Sequence, residues 1–146
     1  MKFGPCRIRC GGGSFDGMAH VMVVDDEGDS REFVARLLER RGHRVLCAEN
    51  GRKALKQLLN GQPELLILDM RMPELDGIGL LEVLRSYLRW HDLPVIVLSA
   101  HGSDTELQRA RELGVSDIFH KANFLLADLA TAVDRLLTGG SDTLAG

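Results

Sequence analysis

No stretch of this sequence is apolar over the roughly 20 residues needed to cross a bilayer, and the amino terminus lacks the apolar core of a secretory signal. A cytoplasmic protein with no membrane contact is therefore expected. Basic blocks are missing as well. Lys and Arg are scattered, no acidic tail is present and the formal net charge is -3, so direct nucleic-acid binding is not expected. The three cysteines, Cys6, Cys10 and Cys47, form an odd set, and Cys6-x-x-x-Cys10 finds no second pair to complete a metal site. They read as free thiols in a reducing compartment.

What is present fits one domain in 146 residues. Residues 1–18 are expected to be a disordered leader, because Cys10-Gly11-Gly12-Gly13-Ser14 suits no regular element, and Met18 is a second candidate start. Residues 19–138 should fold, and residues 139–146, small and polar, should fray. Within the folded span, short apolar runs alternate with amphipathic stretches. Strands are expected at His20–Asp25, Arg44–Ala48, Leu65–Asp69, Pro94–Ser99 and Asp117–His120. Helices are expected from Asp29 or Ser30, as the cap, to Arg41, then at Gly51–Asn60, Gly77 to about Leu88, Asp104–Leu113 and Phe124–Leu137. This alternation predicts an α/β three-layer sandwich. Its five-stranded parallel sheet should have the flavodoxin-like order 2-1-3-4-5, with five helices on its two faces.

In such a sheet, sites form beyond the carboxyl ends of the strands. The first strand ends in Asp25-Asp26-Glu27, the third in Asp69, the fourth in Ser99 and the fifth in His120-Lys121. The first and third strands are neighbours in this order, so their carboxylates converge and repel one another. A hard divalent cation such as Mg²⁺ resolves that repulsion through oxygen ligands. Asp69 then reads as an aspartate nucleophile, with Lys121 and the Ser99 hydroxyl placed to meet phosphoryl oxygens. The acidic loop after the first strand would repel a bare phosphate, and no Walker loop or dinucleotide fingerprint is present. A phosphatase using Asp-x-Asp is disfavoured too, because Arg71 stands at the second aspartate's place.

Four segments, Val24-Asp25-Asp26-Glu27, Leu68-Asp69-Met70-Arg71-Met72-Pro73-Glu74-Leu75-Asp76-Gly77, Leu98-Ser99-Ala100 and Lys121, together resemble the receiver domain of two-component response regulators over about residues 20–138. The resemblance implies that Asp69 is the phospho-acceptor. It implies that Asp26 binds the metal directly, Asp25 through water, and Arg71 through its main-chain carbonyl. Ser99 would be the switch hydroxyl and Lys121 the phosphate-contacting lysine. The donor would be a sensor histidine kinase or a histidine phosphotransfer protein. The chain would not be an enzyme beyond phosphotransfer to, and hydrolysis from, its own Asp69. With no output unit after residue 138, it would act through an unknown protein effector as a monomer or weak homodimer.

The sequence also departs from the family. Lys121 is followed by Ala122 and Asn123 where proline and an aromatic residue are usual, and Ile118 stands where the family has its rotating aromatic. Phe119 should point to the opposite face. A trans Lys121–Ala122 bond is expected. The alternative reading is a receiver-like interaction module not regulated by phosphorylation. Arg71 and His101 are expected to flank the water's approach to an Asp69 phosphate, and Leu125 widens the apolar stripe of the last helix.

Overall fold

The computed structural model describes residues 20–60, 63–72, 74–87, 90–100, 104–121 and 126–138. The expectations for the leader, the tail, Cys6, Cys10, His101, Leu125 and the Lys121–Ala122 bond lie outside the described residues.

Apolar runs too short for helices form the strands β1 (His20–Val24), β2 (Arg44–Ala48), β3 (Leu65–Asp69), β4 (Val95–Ser99) and β5 (Asp117–His120). All neighbouring strands pair in parallel, in the order β2-β1-β3-β4-β5. The central β3 and β4 are buried along their whole length, which is why they carry unbroken runs of Leu, Ile and Val. The edge strands β2 and β5 are only partly buried.

The helices α1 (Gly28–Arg40), α2 (Gly51–Asn60), α3 (Gly77–Arg85), α4 (Asp104–Glu112) and α5 (Leu126–Thr138) cover both faces. One core layer joins Met22, Leu66, Leu68 and Val97 to Leu58, Leu80, Leu84 and Ala110, on the α2, α3 and α4 side. The other joins Val23, Ile67 and Leu98 to Val34, Leu38, Leu129 and Val133, on the α1 and α5 side. Met70 and Met72 are buried in the first layer, as packing residues. Strand alternation sends Ile118 to the first layer and Phe119 to the second, as expected.

Helix ends follow local chemistry, with corrections at the start of α1 and the end of α3. First, α1 starts at Gly28 behind Glu27, and no side chain caps it; Asp29 lies inside the first turn. The chain turns earlier because the Glu27 N–H already donates to Asp25 Oδ1 at 3.0 Å. Second, α3 stops at Arg85, with Ser86 as its cap, short of the expected Leu88. The expected start of α5 at Phe124 lies outside the described residues.

Gly42 and Gly114, at φ 93° and 81°, close α1 and α4. In each case the glycine N–H and the N–H after it reach back to the last turn: Gly42 to Glu39 and His43 to Leu38, Gly114 to Arg111 and Val115 to Ala110. Phe33, which the apolar pattern of α1 would bury, is 55% exposed. Val34, Ala35 and Leu38 already fill the face of α1 that meets the sheet.

Candidate phosphoryl-acceptor and metal site

Parallel pairing of β1 with β3 sets their carboxyl ends side by side. Asp69, the last residue of β3, and Asp25, the first beyond β1, are both buried, while Asp26 next to them is exposed. One carboxylate oxygen from each of Asp25, Asp26 and Asp69 lies within 4.8 Å of the others. Burial, and then the nearby charge of Asp25, push the Asp69 carboxyl up to about 6.

The cation facing this cluster comes from the end of β5. Lys121 Nζ lies 2.9 Å from Asp25 Oδ2, 3.5 Å from Asp69 Oδ2 and 3.6 Å from Glu27 Oε1. Burial alone would lower its pKa. The hydrogen bond and charge of Asp25, joined by Asp69 and Glu27, outweigh burial and raise it. Lys121 is therefore cationic at neutral pH. Its own N–H donates to the Ser99 carbonyl at 2.9 Å, which fastens the end of β5 to the end of β4.

Contacts around the cluster hold it in shape. The Arg31 guanidinium donates to the Asp25 carbonyl at 2.7 Å, and the Asp25 N–H donates to the Ala48 carbonyl at 3.1 Å. The loop after Asp69 returns to the sheet where the Gly77 N–H meets the Met70 carbonyl at 3.0 Å. A Cβ at Gly77 would sit 2.7 Å from the Asp69 carbonyl oxygen and 2.8 Å from Met70 Cα, so only glycine lets α3 start this close to β3. Asp76 then caps α3, accepting from the Gly79 N–H at 2.9 Å.

The structure thus brings together Asp25, Asp26, Asp69 and Lys121. Ser99 is fully buried at the end of β4, the strand beside β3. Arg71 is exposed. Its N–H is 3.5 Å from Asp69 Oδ1, and its guanidinium turns to Glu106 of α4 at 3.6 Å. Sequence reasoning assigned no role to Glu27, Arg31 or Gly77. Of these, the Gly77 signal was available, in a glycine right after an Asp cap. An all-oxygen donor set of three clustered carboxylates suits a hard divalent cation. Among the described residues no helix is long and apolar enough to cross a membrane.

Comparison with known proteins agrees with this geometry. The family model for the response regulator receiver domain matches residues 21–134. The chain is 36% identical over 117 residues to the response regulator MprA of Mycolicibacterium vanbaalenii, covering 80% of this chain and 49% of that protein. It is 37% identical over 117 residues to the transcriptional regulatory protein PrrA of Mycobacterium tuberculosis, with the same coverage of 80% and 49%. The chain therefore spans about half the length of the curated relatives it matches. Among solved structures, it is similar to the signal receiver domain of a signal transduction histidine kinase from Syntrophus aciditrophicus. That match has a TM-score of 0.77 and 31% identity over 84% of this chain and 92% of the other. The receiver domain of NtrX from Brucella abortus matches with a TM-score of 0.73 and 32% identity over 81% and 98%. With this match across nearly all of its folded span, the chain belongs to the response regulator receiver domain family.

Proposed function

We propose that the chain is a phosphorelay switch that accepts a phosphoryl group on Asp69 and passes the signal on through protein contacts. The observation that carries this reading is the buried Asp69 carboxylate between Lys121 Nζ at 3.5 Å and the oxygens of Asp25 and Asp26. Receiver domains work on their own side chain and turn over no separate substrate. Asp26 and Asp69, with the Arg71 carbonyl and with Asp25 through water, would hold Mg²⁺. The bound ion would neutralise the carboxylates and draw charge from the phosphoryl oxygens.

The chain's own groups do the rest. An Asp69 carboxylate oxygen attacks phosphorus, and the donor's bond to phosphorus breaks with its electron pair staying on the donor. With a phosphohistidine donor that pair returns to the imidazole nitrogen, which takes up a proton. Lys121 and the Ser99 hydroxyl then bind oxygens of the transferred group. A sensor histidine kinase or histidine phosphotransfer protein is the donor, and residues 19–138 are the working unit, as a monomer or weak homodimer.

The test is incubation with acetyl phosphate and MgCl₂, followed by intact mass. One phosphoryl adduct is expected, lost with a chelator and lost in Asp69→Asn. An adduct that persists in Asp69→Asn overturns the acceptor assignment. No adduct under any condition would leave a receiver-like interaction module not regulated by phosphorylation.

A further inference from the structure

We propose that the Arg71–Glu106 ion pair is a latch between the acceptor loop and α4, opened when the Asp69 phosphoryl group takes Arg71 from Glu106. The inference rests on Asp69 being the acceptor. Arg71 lies on the loop that follows Asp69, and its N–H is 3.5 Å from Asp69 Oδ1. Its guanidinium reaches Glu106, in the first turn of α4, at 3.6 Å. One side chain thus joins the reacting loop to a neighbouring helix.

The hold on α4 is uneven along its length. Only Leu107 and Ala110 of α4 are buried, against Gly77, Leu80, Leu81 and Leu84 of α3. The carboxyl end of α4 is fastened by Arg85 of α3, which donates to the Leu113 carbonyl at 2.6 Å and the Gly114 carbonyl at 3.1 Å. Arg109 adds a pair to Glu82 of α3 at 3.1 Å. The Arg71–Glu106 pair acts at the opposite end, on the first turn.

The pair is built to be outcompeted. Its side chains are 61% and 37% exposed, so water screens it and it holds weakly. A phosphoryl group on Asp69 places about two negative charges and three acceptor oxygens beside Arg71, and a guanidinium pairs with such a group through two parallel hydrogen bonds. Ile118, an aliphatic side chain packed in the same core layer as Ala110 of α4, offers no ring to carry the message along β5. The first turn of α4 loosens while Arg85 keeps its far end in place.

Hydrogen exchange of residues 104–112 tests the latch, in wild type, Glu106→Gln and Glu82→Gln, each with and without acetyl phosphate and MgCl₂. Intact mass reports the adduct in the same samples. Phosphorylation of wild type is expected to speed exchange in this helix several-fold. Resting Glu106→Gln should already exchange at that raised rate and respond less than about twofold to the adduct, as the loss of a weak exposed pair implies. Glu82→Gln, which breaks the Arg109–Glu82 pair between α4 and α3, should keep the full response. The latch is overturned if resting Glu106→Gln exchanges like wild type, or if Glu82→Gln loses the response as Glu106→Gln does. If wild type takes no adduct, the acceptor reading itself fails. An adduct without any change in exchange sinks the latch alone.

Discussion

At the carboxyl ends of the strands, Asp25, Asp69 and Glu27 all lie within reach of one Lys121 ammonium. At the amino ends, charge is matched differently. Arg85 donates to four main-chain carbonyls, those of Trp90, Leu93, Leu113 and Gly114. Arg41 pairs with Asp134, and His43 Nε2 lies 3.0 Å from Asp134 Oδ1. Burial alone would raise the Asp134 carboxyl, but the hydrogen bonds from Arg41 and His43 hold it below the usual range. Asp69, by contrast, is pushed up to about 6. Stability is gathered where polar groups find their partners. Reactivity is gathered where carboxylates are crowded and gain most from a cation or a new bond.

The sharpest way to break this contrast is at Arg85. Arg85→Ala should cost about 3 kcal/mol by chemical denaturation, because charged hydrogen bonds contribute about 1.5–3 kcal/mol each and water recovers part of the loss. A cost under about 1 kcal/mol would mean that water serves the four carbonyls as well as Arg85 does. At the other end, MgCl₂ should raise the melting temperature of wild type. Its stabilisation grows to about 2.7 kcal/mol at a hundredfold excess over the dissociation constant. In Asp26→Ala the same rise should need about tenfold more Mg²⁺, equivalent to about 1.4 kcal/mol of binding. An unchanged Mg²⁺ midpoint would remove Asp26 from the metal's ligands.

Removing the crowded charge should stabilise the fold. Asp69→Asn, without Mg²⁺, is expected to gain about 1 kcal/mol at pH 7.5, a full buried-charge value being discounted for solvent screening. The sign follows from the raised pKa. Between the ordinary 3.8 and about 6, folded Asp69 holds a proton that the unfolded chain releases. Wild type therefore loses stability as pH rises through that window, and the full cost stands above it. The advantage of the variant should shrink as pH falls from 6 towards 4. An advantage that does not change with pH would mean that crowding is not its cause.

Asp134→Asn should do the opposite and cost less than about 1 kcal/mol, since the pair is partly exposed. A depressed carboxyl contributes stability above its ordinary 3.8 and loses it as pH falls through the folded value, so this cost should vanish in acid. The smallest effect is expected from a chain starting at Met18. Its melting temperature and its labelling should match those of the full chain, because residues 1–18 carry no apolar pattern to bury. A drop of several degrees would show that the leader packs on the domain.

Much of the site was legible because its residues close apolar runs. Leu65–Asp69 and the Val95–Ser99 core of β4 announce their own ends, and parallel order then puts Asp25 beside Asp69. Helix boundaries were less legible. Helix α1 begins at Gly28, behind Glu27, because Asp25 captures the Glu27 N–H, a turn that Asp29 and Ser30 do not reveal. The Gly77 contact depends on how closely α3 approaches β3, a distance that no spacing in the sequence states.

The sequence by itself determined the alternation of strands and helices, the parallel sheet and the meeting of carboxylates at one edge. These follow from periodicity, turn chemistry and right-handed crossovers, all of which act locally or through simple topology. Only the tertiary structure decided which partner each charge takes. Lys121 binds Asp25 more closely than Asp69, Arg85 serves Leu113 across 28 residues of chain, and Arg71 turns to Glu106. Those choices depend on the packing distance between elements and on flexible side chains picking among several acceptors of similar strength, and neither is written in the order of residues.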